Sequence, residues 1–309
     1  MVTAEQPLGT DPTGVTRPGR RRTRPRDVAL MLTAAGSTQT GAALGARAFD
    51  TIGPAGVVAV RQLVAAAVLL PLARPDVRHL RWAQWWPILL LTTVFAVMNL
   101  SVYAAIDRIG LALAVTLEFL GPLAVALGNS RTARDLVTAI AAGVGVYVLV
   151  LPGPTSDYPG VGLGLFAACC WAAYILLNRV VGARMPGVQG TALATSISAL
   201  GYLPVLVVLA RSGRLTPVAL GFAMAAGALA SAVPYALDLI VLRTVSPQVF
   251  GVAMSAHPVM AAIAGMVVLG QVLSWHEWLG IAVIVAANVV TVTGRRRAPR
   301  QPRPATPER

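Results

Sequence analysis

The chain contains no lysine: all 25 of its basic residues are arginine. Charge of either sign is scarce, at 12% of 309 residues, where a soluble globular domain carries about 25%. Hydrophobic residues make up 56% and the mean hydropathy is +0.70. That balance excludes a soluble domain and gives an integral membrane protein, whose partner is the lipid bilayer. The two cysteines, Cys169 and Cys170, are sequence neighbours. They cannot staple distant elements, so no disulfide framework exists and both act as small packing residues. The three histidines, His79, His257 and His276, lie far apart without metal-ligand spacing. No Walker motif or nucleotide-binding domain is present. The sequence therefore calls for no metal, no cofactor and no ATP-driven step.

What is present is apolar sequence in runs of membrane length, ~20 residues each. Ten segments are predicted, at roughly 28–48, 54–74, 85–106, 109–128, 135–151, 160–180, 188–210, 217–242, 247–269 and 276–294, each punctuated by Pro, Gly or Arg. The arginines orient them. Twelve sit in two tails, residues 1–27 and 295–309, read as disordered from their Pro, Arg, Thr and Gly content. With the N-terminus inside, 20 arginines fall on the inner side and four on the outer, Arg47, Arg108, Arg211 and Arg214. The positive-inside rule then puts both termini in the cytoplasm and explains the net charge of +13 without a nucleic-acid partner. A secretory signal is the rival for the first segment, with A-R-A at 46–48 as cleavage site. Ser37, Thr38, Gln39 and Thr40 interrupt its apolar part, so it reads better as a span with a polar face turned into the bundle.

The chain divides in two. L-E-F-L-G-P-L at 117–123 is echoed by A-M-S-A-H-P-V at 253–259, and Leu69-Leu70-Pro71 by Tyr202-Leu203-Pro204. Placing Pro122 on Pro258 also sets Arg108 against Thr244 and Gly110 against Ser246. Five spans per half is an odd number, so the halves enter the membrane in opposite senses. The expected fold is all-α, ten transmembrane helices as two inverted five-helix repeats, 28–151 and 160–294. Secondary transporters built this way place their site near the midplane between the halves.

The polar residues at depth are few. Glu118 lies near the middle of an apolar span, where a charge costs ~2.5–3.5 kcal/mol. Such an acid faces the bundle interior, either as a functional group or in a structural ion pair with Arg61. Pro122 has no N–H, so a helix running through it would leave the carbonyl of Glu118 unbonded. Pro258 does the same to Met254 in the other half. Two freed carbonyls at matched positions point to one central cavity; the bland alternative is a pair of kinks in packed helices. Arg61, Gln39, Asn99 and His257 complete the candidate set, His257 as a proton carrier or a buried neutral ring. Asp238, beside Arg243, reads as an interface anchor, and Asn178 and Asn288 as glue between helices. G-A-A-L-G at 41–45 fits a close-packing motif.

With these residues in hand the chain resembles the bacterial threonine/homoserine exporters, in the EamA group of the drug/metabolite transporters. The likeness runs through L-E-F-L-G-P-L-A-V-A-L, A-C-C-W-A-A-Y-I-L-L at 168–177, V-P-Y-A-L-D-L-I-V-L at 233–242 and the stretch 250–271. It covers residues 28 to 294. It implies ten spans, an inner-membrane location, no enzyme activity and export of small metabolites such as threonine and homoserine. The chain departs from the pattern where M-E-P is expected and A-H-P stands, with His257 at the acid position. L-G-E is replaced by L-G-Q, with Gln271, and Asp238 stands where Glu is common. The mechanism expected is proton antiport with alternating access. Glu118 binds the substrate ammonium or a proton, Arg61 holds the carboxylate, and a single chain is the transport unit. The rival within transport is another metabolite or a lipophilic cation. A membrane-embedded enzyme or a receptor fits less well, because the deep polar groups are single and spread over several spans.

Overall fold

The structure, a computed structural model, describes residues 25–128, 133–151, 153, 156–186, 188–234, 237, 245 and 247–294. Residues 1–24 and 295–309 of the two tails, Arg131, Asp238, Arg243, Thr244 and Ser246 lie outside the described residues, while residues 25–27, read as the end of the N-terminal tail, form the first turn of a helix. Among those described there is no strand. The helices are α1 (Pro25–Ala46), α2 (Phe49–Ala73), α3 (Trp82–Ile109), α4 (Leu111–Glu118), α5 (Leu120–Gly128) and α6 (Ala133–Val150). They continue as α7 (Tyr158–Gly182), α8 (Gln189–Gly201), α9 (Leu203–Arg211), α10 (Pro217–Gly227), α11 (Pro247–Met254), α12 (His257–Leu269) and α13 (Trp275–Gly294). Eight helical stretches are long and apolar enough to cross a membrane: Phe49–Ala73, Trp82–Ile109, Leu111–Gly128, Ala133–Val150, Tyr158–Gly182, Gln189–Arg211, Val249–Leu269 and Trp275–Thr293. Pro217–Ala232 is a shorter apolar helix. Helix α1 is long enough but carries the polar run Ser37–Thr40.

Local chemistry sets the joints. The second predicted segment starts five residues early, because Gly53 takes φ +68° and lets one helix continue across a kink into Pro54. Helix α2 ends on Arg74 at φ 42°, whose N–H bonds the carbonyl of Leu70. Gly110 separates α3 from α4 at φ +82°. A side chain there would also strike the Gln271 amide, 3.1 Å from its Cβ. Gln271 uses that closeness: its Oε1 accepts the N–H of Leu111 at 3.1 Å, capping the start of α4. The residue that departs from the expected L-G-E thus caps a helix, and it does not line the central cavity described below. Asp157 caps α7 on the loop side of the membrane. It accepts from the N–H of Gly160 at 2.9 Å and from Arg108 at 3.0 Å. The Gly160 N–H above all holds its carboxyl below the usual range; burial opposes this, and the Arg108 guanidinium adds to the lowering.

Packing pairs the elements across the chain. Helix α3 lies along α7, α2 on α8, α6 on α13, α1 on α10 and on α12, and α7 on α4 and α5. Small residues let α1 approach closely. A Cβ on Gly41 would stand 2.7 Å from the Ala230 nitrogen, and one on Gly45 2.9 Å from Val57 and 3.1 Å from Ala226. G-A-A-L-G is therefore a working contact face. Two expectations are corrected. Asn288 donates to the carbonyl of Ile284 in its own helix, so it does not glue helices. Of the cysteines only Cys170 is buried; Cys169 faces outward. Asn178 does bridge helices, accepting from Thr191 at 3.3 Å.

Candidate functional site

Helix α4 stops at Glu118 and α5 restarts at Leu120. Helix α11 stops at Met254 and α12 restarts at His257. Pro122 stands two residues past the first restart and Pro258 is the second residue of α12. Each proline denies the turn before it a donor, and each helix breaks just ahead of its proline. At the second break, Ser255 and Ala256 fall back on tighter bonds to Val252 (3.1 Å) and Ala253 (3.0 Å). The breaks bring Glu118 and His257 to one cavity of about 210 Å³, which Arg61, Gln39 and Asn99 also line. All five polar residues singled out from sequence therefore share a single space between helices of both halves. Hydrophobic pockets near 150 Å³ hold one benzene, so this one admits a somewhat larger solute.

The polar groups are arranged unequally. Arg61 donates from Nη1 to Asn99 Oδ1 at 2.7 Å, and its guanidinium lies 5.2 Å from the ring centroid of Tyr103. Asn99 in turn donates from Nδ2 to the carbonyl of Phe95 at 2.7 Å, which fixes the direction of its amide. Gln39 Nε2 and His257 Nδ1 are 3.1 Å apart, joining α1 to α12. Glu118 makes no hydrogen bond and no ion pair within 4.0 Å among the described residues. The structural ion pair with Arg61, one of the two readings of that acid, is not formed. The cavity holds one acid without a partner and one guanidinium already steered by neighbours.

The walls were missed in the sequence reading. Phe119, in the break itself, is stacked on His257 (5.4 Å, 28°) and meets Trp171 edge-on (4.7 Å, 88°). Phe95 stacks on Tyr174 at 5.7 Å. Spacing carried the signal: Phe95, Asn99 and Tyr103 recur every fourth residue of α3, and Trp171 and Tyr174 are three apart on α7, so each set shares a helix face. A turn of π-helix, Ala228–Ala232, follows α10 and puts Ala230 at the cavity. Ser37 Oγ donates to the carbonyl of Leu229 there, at 2.8 Å. Such turns often occur at functional sites, and only a run of small residues before Pro234 hinted at it. No group of three His, Cys, Asp or Glu that could hold a metal exists among the described residues.

Comparison with known proteins decides the family. The chain is 33% identical to the threonine/homoserine exporter RhtA of Salmonella typhimurium (strain LT2) over 287 residues, 91% of this chain and 97% of that one. The RhtA of Escherichia coli K12 matches to the same extent. The chain belongs to the EamA-like transporter family. Residues 158–293 match that family's own profile. An uncharacterized transporter of Bacillus subtilis, YwfM, is 27% identical over 79% of this chain and 86% of its own. One crystal structure, 19% identical, covers 88% of this chain and 99% of that one at a TM-score of 0.50, a likeness of fold. As an EamA-like transporter the chain is a multi-pass membrane protein that moves a small molecule; its named relatives are exporters and transporters, not enzymes.

Proposed function

We propose that the chain exports a small amino acid of the threonine/homoserine type by proton antiport with alternating access. One observation carries the reading: an acid without an ion-pair partner and an oriented guanidinium face the same cavity. An amino acid offers an ammonium to Glu118 and a carboxylate to Arg61, and a guanidinium binds carboxylates in a two-pronged way. Glu118 holds the ammonium or a proton but not both strongly, and that competition links outward substrate to inward proton. The relatives named as threonine/homoserine exporters give the substrate type its further support.

The proposed frame is ten crossings in two inverted repeats, 28–151 and 160–294, with both termini cytoplasmic and one chain as the unit. The packing supports the repeat. Exchanging the halves turns the α3–α7 contact into α10–α1, and the contact of α4 and α5 with α7 into that of α11 and α12 with α1. The α2–α8 and α6–α13 contacts map onto themselves. Rocking one half against the other would then open the shared cavity to each side in turn.

A second reading has its own observation. Five aromatic rings line the cavity, Phe95, Tyr103, Phe119, Trp171 and Tyr174, and aromatic faces attract organic cations. A lipophilic cation would use them and Glu118, and would leave Arg61 without a role. Counterflow of labelled threonine and homoserine in proteoliposomes separates the readings. Saturable exchange, blocked by unlabelled substrate and lost in Arg61→Gln, supports the amino acid. Exchange of a lipophilic cation, and none of either amino acid, in a folded preparation overturns it.

A further inference from the structure

Two opposite charges on the wall of one small cavity attract each other more strongly than they would in bulk water, because the protein around them has a lower effective dielectric. Glu118 and Arg61 nevertheless remain unpaired. The geometry points to the reason. We propose that Asn99 is a positioning residue that holds Arg61 off Glu118 and so keeps both ends of the cavity available. The inference rests on the two-ended amino-acid site above.

Asn99 is 3% exposed. Both ends of its amide are used, one on the backbone of its own helix and one on the guanidinium, each at 2.7 Å. The bond to the Phe95 carbonyl settles which end faces Arg61: the amino group is committed, so the oxygen must accept. An amide oxygen suits this task. It accepts strongly enough to steer a guanidinium but carries no charge to neutralise it, which an Asp or Glu would do. Tyr103 supports the same position with its ring face, 5.2 Å from the guanidinium carbon. Its hydroxyl is the one buried side-chain oxygen or nitrogen among the described residues without a hydrogen-bond partner, so the face and not the hydroxyl accounts for its place. Phe95, Asn99 and Tyr103 thus form one stripe of α3 that carries the guanidinium, while Glu118 enters on α4. With Arg61 held in this way, its remaining N–H groups stay free for a carboxylate from solution.

The test needs no substrate. A buried unpaired carboxyl reacts with dicyclohexylcarbodiimide, and one paired with a guanidinium is protected. Purified wild-type protein, Asn99→Leu, Arg61→Gln and the double variant are treated with the reagent, and modification of Glu118 is quantified by mass spectrometry. Asn99→Leu is expected to label about tenfold less than wild type, because Arg61 swings onto the acid. The double variant is expected to label at least as strongly as wild type, since no guanidinium is left to swing or to favour the ionised acid. A merely structural Asn99 would not give that reversal. Asn99→Ala serves in place of Asn99→Leu if the latter fails to fold by size-exclusion profile. Equal labelling of wild type and the Asn99 variant overturns the proposal, as does reduced labelling that persists in the double variant. Failure of amino-acid counterflow overturns the functional reading separately, since labelling depends on no substrate.

Discussion

At Phe119 the helix breaks one residue after an acid; at Ser255–Ala256 it breaks one residue before a histidine. Both breaks sit ahead of a proline, and both face the same cavity. Their polar groups are committed differently. Glu118 has no hydrogen bond or ion pair among the described residues, while His257 is bonded to Gln39 and stacked on Phe119. A repeated frame has been given one available charge and one occupied ring. The frame supplies two bends and a space, which backbone chemistry alone provides. The side chains then differ: the first break presents an acid to the cavity, where the proposed function places binding and proton exchange, and the second ties two helices together.

Four substitutions press on this contrast, the largest effect first. Glu118→Gln keeps the break and removes the charge. Gradient-driven efflux from proteoliposomes is expected to fall about 10–100-fold, the worth of a hydrogen bond to a charged group; full gradient-driven efflux would remove the proposed role. His257→Glu makes the two breaks alike by placing a second acid in the cavity. Two carboxylates in one space resist ionising together, so the pH profile of exchange should move to higher pH and the rate at neutral pH should drop by about tenfold. An unchanged profile would mean that the histidine position does not face the acid.

Gln39→Leu cuts the tie at the second break and leaves the first untouched. Stability in detergent should fall by about 0.6 kcal/mol, the average for polar pairs between membrane helices, with Glu118 labelling by carbodiimide unchanged. Thermal unfolding checks the first part and mass spectrometry the second. Asp157→Asn acts farthest from either break and has the smallest effect. The Asp157 carboxyl is held below its ordinary value in the folded chain, so its contribution is present above the unfolded value, about pH 3.9. It is lost as pH falls through the lower folded value. The variant should therefore unfold slightly earlier than wild type at pH 7, and the gap should close on acidification; a gap that persists at acid pH would assign the loss to shape instead of charge.

Much of this protein is written locally. Glu118 ahead of Pro122 and His257 beside Pro258 pointed to both breaks, because a missing N–H weakens the turn preceding it, although α2 and α3 run unbroken through Pro71 and Pro87. Apolar run length placed the helices to within a few residues, since lipid forbids unbonded backbone and leaves little else for such a run to be. The same local reasoning could not say that Gln271 caps α4 from 160 positions away, or that Asn99 holds Arg61 from 38 away. Nor could it bring Trp171 and Phe119 face to edge. Those depend on which helix lies against which, and an apolar helix surface in lipid offers many nearly equal neighbours. Sequence alone placed most of the helices, the two breaks at the cavity and the polar residues that line it. Only the packed bundle decided which of them pair, because pairing is a matter of distances between helices, and among the described residues it left Glu118 without a hydrogen bond or ion pair.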